Sequence, residues 1–512
     1  MPTRHTWPVV TQGQARFVQT LDKTATLHLS ISLPLRDENG LKGFIDNLYN
    51  PASPNYRQFL TVAQFRDMFG PTQSDFDNVV RWSRENGFVV TETAANRMLI
   101  QVNGRVSDIE KAFHVNLNVY HDAAENRDFY APDREPMTDS PAALLHVSGL
   151  DNYSLAKPAV AHSDAAPQAT GSGPGGQFIG SDFRAAYYGS GKLNGKNQSL
   201  GLLEYVGYNP TDITLYFNTV GQTLKTKVVP VSTDGTPATC TTCDDTEQSL
   251  DIEDGISMAP GMKQCVVYVG STDTAMLNRM VSDNSCKQLS SSWEWRPADA
   301  STLDPIFMEM AAQGQNFFEA SGDDGAYNSG TEYSWPADDQ NITAVGGTDL
   351  VTNGPGGAWM SETAWVDSGG GISLNNIKIP TYQKNKIVVN KTNKASKTLR
   401  NVPDVAAEGN FDNYICYDGH CAGGWGGTSF ATPRWGGFLA LANQQATKGG
   451  GSPLGFINPA IYAIGEGSSY TSNFHDITVG GNGGYTAVAG YDLVTGWGSM
   501  IGPTLINTLT AK

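Results

Sequence analysis

Residues 24–34 alternate polar and apolar side chains, the period of a half-buried strand. Helical spacing of apolar positions follows over 41–49, 61–69 and, behind an Asp-rich start, 74–86. Residues 88–92 and 97–102 then repeat the strand pattern, 106–113 is helical, and 117–120 is again strand-like. Strands and helices alternating at this spacing predict a compact α+β sandwich that ends near residues 147–151. From 152 to 176 the chain turns to Ala, Pro, Gly, Ser and Gln, which cannot build a core. That stretch reads either as an inert tether between domains or as a proteolytic processing site.

Beyond the linker the pattern changes. Short apolar runs at 199–205, 265–269, 288–293, 315–321 and 342–348 end in small or Gly-rich turns. Helical segments separate them: one from Asp212, then 247–258, 274–283 and 303–314. This predicts an α/β domain with a doubly wound parallel sheet, whose functional groups belong at the carboxyl ends of its strands. The expected domains are 1–151, a linker at 152–176, and 177–512.

Composition narrows the function classes. A chain of 512 residues can bury two cores. A net charge of −17 argues against nucleic-acid partners. Residues 1–170 hold 15 Lys and Arg against 19 Asp and Glu, and 171–512 hold 19 against 32, so the acidity sits in the larger part and suits work in acid. No apolar run has the roughly 20 residues of a membrane span, so no membrane partner is expected. The first residues lack the apolar stretch of a secretion signal. All six cysteines (240, 243, 265, 286, 416, 421) follow residue 239, as in a disulfide-bonded protein of an oxidising, extracellular setting. By proximity the simplest pairs are 240–243, 265–286 and 416–421; zinc at Cys240-x-x-Cys243 is the rival reading, with no second half to complete it.

Three stretches carry candidate chemistry. Gly426-Gly427-Thr428-Ser429 runs into an apolar helix, which places Ser429 at a helix N-terminus as a nucleophile or, more plainly, as a cap. Six carboxylates lie between 244 and 254, with no Lys or Arg between Lys227 and Lys263. Glu247 and Asp251, at i and i+4, share a helix face: they form either a proton-sharing pair or a solvated face. Asp323, after an apolar strand, is placed for a cleft or for turn chemistry. Beyond residue 170 the only histidines are His420 and His475, and neither precedes Ser429 in the setting that a subtilisin-type triad requires. A carboxylate base is therefore favoured, with a His420-based subtilisin-type protease and a catalytically dead binding protein as alternatives.

These segments together resemble the sedolisin family of serine-carboxyl peptidases over nearly the whole chain. The matching motifs are Glu-x-x-x-Asp running into Ala259-Pro260-Gly261, Ser-x-Ser-Trp ending at Trp293, Ser-Gly-Asp at Asp323, Val-Gly-Gly-Thr, and Gly-Thr-Ser with Pro433 four residues on. The resemblance implies a subtilisin-like catalytic domain behind a ferredoxin-like activation domain that blocks the cleft, in a self-processing zymogen. It implies Ser429 as nucleophile, Glu247 as base, Asp251 behind it, and protonated Asp323 as oxyanion donor, with Glu204 and Trp293 further out. It also implies one calcium ion held by Asp476 and Asp492 side chains and by the carbonyls of Ile477, Val488 and Gly490; Val488 stands where family members often carry Gly. Protein or peptide substrates, a monomeric state and secretion are the accompanying expectations.

Overall fold

The computed structural model describes residues 1–164, 170–296, 298–327 and 334–511. In the N-terminal part, strands Thr26–Ser32, Val89–Thr93, Leu99–Arg105 and His146–Ser148 form an antiparallel sheet. Numbered along the chain as one to four, they lie in the order four, one, three, two, the split arrangement of a ferredoxin-like sheet. Helices Gln73–Glu85 and Val106–Phe113 cover one face through Phe76, Val79, Trp82, Ile109 and Phe113. Sequence spacing finds these helices within one residue of their ends. The strand at Leu117–Asp122, however, leaves this sheet and joins Arg16–Thr20 and Arg127–Pro132 in a second one. The fourth place goes to His146–Ser148, three residues too short to show a period.

The larger part is built on a sheet ordered Lys227–Ser232, Gln264–Val269, Ser199–Glu204, Gln288–Ser291, Asn316–Ala320, Thr343–Thr352 and Trp359–Ala364, with Val405–Glu408 also paired to Thr343–Thr352. All pairings are parallel except that of the edge strand Trp359–Ala364. After Ser199–Glu204 the chain winds to one side, and after Gln264–Val269 it crosses to the other. The switch point therefore falls between Ser199–Glu204 and Gln288–Ser291, where a crevice opens.

Two helices pack beside that crevice. Helix Thr246–Met258 is buried along its whole length, which rules out a solvated carboxylate face. Helix Thr428–Ala446 is buried from Thr428 to Asn443. They approach closely because Gly437 has no side chain: a Cβ there would stand 2.6 Å from the Gly255 carbonyl. Arg434 joins the two helices, its guanidinium donating to Asp254 at 2.8 Å and stacking 3.3 Å over Phe183.

The N-terminal sandwich docks on helices Asp273–Asp283 and Ala300–Ala312. Leu41, Phe65, Phe69 and Met98 enter the same apolar cluster as Met276, Leu277 and Phe307. Buried polar groups fix the fit: Asn96 donates to Asn278 and Glu309, each at 2.8 Å, and Gln101 donates to the Thr233 carbonyl at 2.7 Å.

Cys240–Cys243 and Cys416–Cys421 are disulfides. The expected 265–286 pair is not formed: both are buried thiols, Cys265 in strand Gln264–Val269 and Cys286 just before Gln288–Ser291, and strand Ser199–Glu204 runs between those two strands. The Cys240–Cys243 bond also removes the thiolates a zinc site would use.

Candidate active site

Ser429 is the second residue of its helix and is fully buried. Its hydroxyl donates to the Ser292 carbonyl at 3.4 Å, and the Ser292 hydroxyl donates to Asp251 Oδ1 at 2.8 Å. Behind Asp251 stands Glu204, at the carboxyl end of its strand, whose Oε2 accepts from Trp293 Nε1 at 2.9 Å. Among the described residues Glu247 has no hydrogen bond of normal geometry, yet the Ser429 and Ser292 hydroxyls lie close enough to favour its charged form. The structure thus brings Ser429, Glu247, Asp251, Glu204 and Trp293 together at the switch point.

The electrostatics follow from burial without a cation. Desolvation pushes Glu247 and Glu204 well above the usual carboxylate range, and repulsion from Asp251 adds to it. Asp251 is raised too, again mainly by desolvation. The charges of Glu204 and Asp251 act on one another across a buried gap with no cation between, which favours a single proton shared by the pair over two ionised carboxylates. Asp323 faces the site from the turn after strand Asn316–Ala320. Its Oδ1 accepts from the Thr428 N–H and hydroxyl, both at 2.8 Å. Its buried Oδ2 has no hydrogen-bond partner among the described residues, and burial raises its pKa well above normal.

The histidines lie elsewhere. His420 is exposed on the hairpin formed by Asn413–Tyr417 and His420–Gly426, against Tyr417. His475 stacks 3.8 Å over Trp359.

Sequence reading misses Ser292 and Thr428, which orient Asp251 and Asp323. Their signal was adjacency alone: each neighbours a named residue at a strand or helix end. It also treats the linker as unstructured, whereas the described part enters the crevice. Lys157–Pro158 pairs antiparallel with Trp293–Glu294, and Ala161–His162 pairs with Trp425–Gly426. Residues 165–169 of the expected processing region lie outside the described residues.

At the C-terminal end, Asp492 Oδ2 accepts from the Val488 N–H at 3.1 Å, and Asp476 accepts from the Gly490 N–H at 3.1 Å. Both carboxylates thus converge on one loop. The carbonyls of Ile477, Val488 and Gly490 accept no hydrogen bond among the described residues.

Comparison with known proteins places this geometry. Residues 13–152 match the family described as pro-kumamolisin, activation domain, and residues 212–455, which contain Glu247, Asp251, Asp323 and Ser429, match the subtilase family. Xanthomonalisin of Xanthomonas sp. (strain T-22) is 30% identical over 94% of this chain, which spans 65% of that protein's length. Kumamolisin of Bacillus sp. (strain MN-32) is 29% identical, over 96% of this chain and 94% of its own. Sedolisin of Pseudomonas sp. (strain 101) is 31% identical, over 93% of this chain and 86% of its own. The solved structure of Pseudomonas sedolisin, a serine-carboxyl proteinase complexed with two molecules of pseudo-iodotyrostatin, superposes with a TM-score of 0.56 at 28% identity, covering 64% of this chain and 96% of that one. With a pro-kumamolisin activation domain ahead of a subtilase domain, and buried carboxyls where a subtilisin has histidine, the chain belongs to the sedolisin family of serine-carboxyl peptidases.

Proposed function

We propose that the protein is a self-processing endopeptidase that acts in acid and cleaves unfolded proteins and peptides through an acyl-enzyme on Ser429. The observation that carries this reading is the run of buried carboxyls behind Ser429, far from either histidine. Glu247 takes the hydroxyl proton as Ser429 attacks, then returns it to the leaving amine. Asp251, bonded to Ser292 and sharing a proton with Glu204, tunes the basicity of Glu247. The Ser429 N–H and protonated Asp323 face the developing oxyanion.

The sign of the pH dependence follows. Asp323 donates only while protonated, so the rate falls as pH rises through its raised pKa. Glu247 accepts only while ionised, so the rate also falls once the carboxyl cluster is fully protonated. The test is the pH profile for cleavage of a denatured protein after acid incubation. We expect an acid maximum, a loss of about a thousandfold or more in Glu247→Gln, and an unchanged rate in His420→Ala. A maximum near pH 7–8 that His420→Ala abolishes would establish the subtilisin-type alternative instead.

The loop at the C-terminal end suits one calcium ion. Two carboxylates and three uncommitted carbonyls form an all-oxygen donor set, with Asp476, Asp492, Ile477, Val488 and Gly490 as the holders. Bound calcium would neutralise the two carboxylates and tie residues 476–492 to one another. Chelation at constant pH is expected to lower the Tm of Ser429→Ala protein by several degrees, and calcium but not magnesium to restore it. A Tm indifferent to chelator speaks against the site. Secretion and a monomeric state complete the proposal, in keeping with the two disulfides and the attached activation domain.

A further inference from the structure

The linker lies in the crevice in the pose of a bound substrate. Lys157–Pro158 adds a strand to Trp293–Glu294 on one side of Ser429, and Ala161–His162 adds one to Trp425–Gly426 on the other. Between these ladders stand Ala159 and Val160. The Ala159 N–H donates to the Ser292 carbonyl at 2.9 Å, and its carbonyl accepts from the Ser429 N–H at 3.2 Å. That carbonyl oxygen and Asp323 Oδ2 both stand within 2.7 Å of the point where a Cβ on Gly427 would sit. Gly427, at φ 148°, leaves that space free for the two oxygens. The Ser163 N–H donates to the Gly424 carbonyl at 2.8 Å and closes the far end.

Val160 packs on a small apolar cluster of Leu250, Ile415 and Phe430, with Tyr417 and Trp425 at its edge. This cluster is separate from the main core and has no other occupant among the described linker residues.

Resting on the proposed endopeptidase activity, we infer that Ala159–Val160 is the bond the enzyme cuts in its own chain, and that the Leu250, Ile415 and Phe430 pocket selects an aliphatic residue on the leaving-group side of the substrates it cuts in trans. In the step, the Ser429 oxygen bonds to the Ala159 carbonyl carbon and its proton passes to Glu247. The C–N bond to Val160 then breaks, with that proton moving to the Val160 nitrogen. Water hydrolyses the ester, releasing the Ala159 carboxylate and restoring Ser429. The activation domain leaves with the C-terminus Lys157-Pro158-Ala159, and the mature enzyme begins at Val160.

The test is intact mass and N-terminal sequencing of the full-length protein over the first minutes of acid incubation, with Ser429→Ala alongside. The expected first product begins at Val160, and Ser429→Ala stays whole. Peptides spanning residues 154–163 are then given to the matured enzyme with Val, Leu, Gly or Asp at the position of Val160. Val and Leu are expected to be cut at least tenfold faster in kcat/KM than Gly or Asp. A first cut at any other bond overturns the processing assignment, and equal rates for Val and Asp overturn the pocket. Cleavage of denatured protein by the same sample leaves the peptidase reading standing in either case; no cleavage of any substrate removes that reading as well.

Discussion

Ser429→Ala is expected to remain full-length in acid and to lose peptidase activity by four or more orders of magnitude, while keeping its fold and thermal stability. The reason lies in how little the hydroxyl does structurally. Among the described residues its one hydrogen bond of normal geometry, to the Ser292 carbonyl, is long at 3.4 Å, and the backbone N–H that meets the Ala159 carbonyl is kept by alanine. The substitution therefore removes the nucleophile and leaves the pose of the linker intact. What remains is the electrostatic environment without a group to form the acyl-enzyme. Measurement is direct: gel mobility and mass of the chain after acid incubation, and cleavage of denatured protein over days. Processing at the wild-type rate in purified Ser429→Ala, free of other proteases, would show that another group attacks.

The same site shows why some of it was legible from sequence. Glu247 and Asp251 are four residues apart on one helix, so their shared face is fixed by helical geometry before any tertiary structure forms. Asp323 and Ser429 each lie at the end of a strongly patterned element, where an α/β sheet puts its chemistry. The two-domain division was legible because the strand period of the first 150 residues gives way to fully apolar parallel strands. The burial of Glu247 and Asp251 was not legible. A helix with six carboxylates in and around it looks solvated, and it is the tertiary packing of Thr428–Ala446, of Gly180–Tyr187 and Pro210–Thr219, and of the Cys416–Cys421 hairpin around it that excludes water. Nor was the linker. Its Ala, Pro and Gly composition signals no secondary structure of its own, since its strands are completed by Trp293–Glu294 and Trp425–Gly426 from across the crevice. Strand Lys227–Ser232, at the sheet edge with alternate exposure, was too weakly apolar to be counted.

Ser292 marks the boundary between the two cases. It follows strand Gln288–Ser291 at the switch point, and its hydroxyl sits between Ser429 and Asp251. A run of three serines offers no local reason to single out the third. Only the neighbouring strand Ser199–Glu204, which brings Glu204 up to Asp251, makes its position a junction.

The second large effect concerns stability and runs opposite to the usual acid denaturation. Desolvation raises Asp254 and Asp338 to about 6 and Glu309 to about 8, and pushes Glu253, Glu319 and Glu408 well up. In the unfolded chain these groups titrate near 4. Between pH 4 and their folded pKa values the native state therefore holds more protons than the unfolded one, so stability is fully present near pH 4 and drains as pH rises through 6 to 8. Each unit by which a pKa is raised is worth about 1.4 kcal/mol, and several groups act together. We expect the Tm of Ser429→Ala protein, at fixed calcium, to fall by roughly 10 °C or more between pH 4 and pH 8. Glu319 isolates one contributor, since both its oxygens are buried without a hydrogen-bonding partner of normal geometry among the described residues. Glu319→Gln, which keeps the shape of the neutral acid, should raise Tm at pH 8 and change it little at pH 4. A Tm that stays level or climbs from pH 4 to pH 8 would mean that these carboxyls are ionised in the folded protein, and that cations or water satisfy them. The shared-proton arrangement behind Ser429 would then lose its physical basis, because it depends on the same absence of compensating charge. Stability and the proposed acid catalysis are thus tied to one cause: carboxyls buried deeply enough to keep their protons in the acid range.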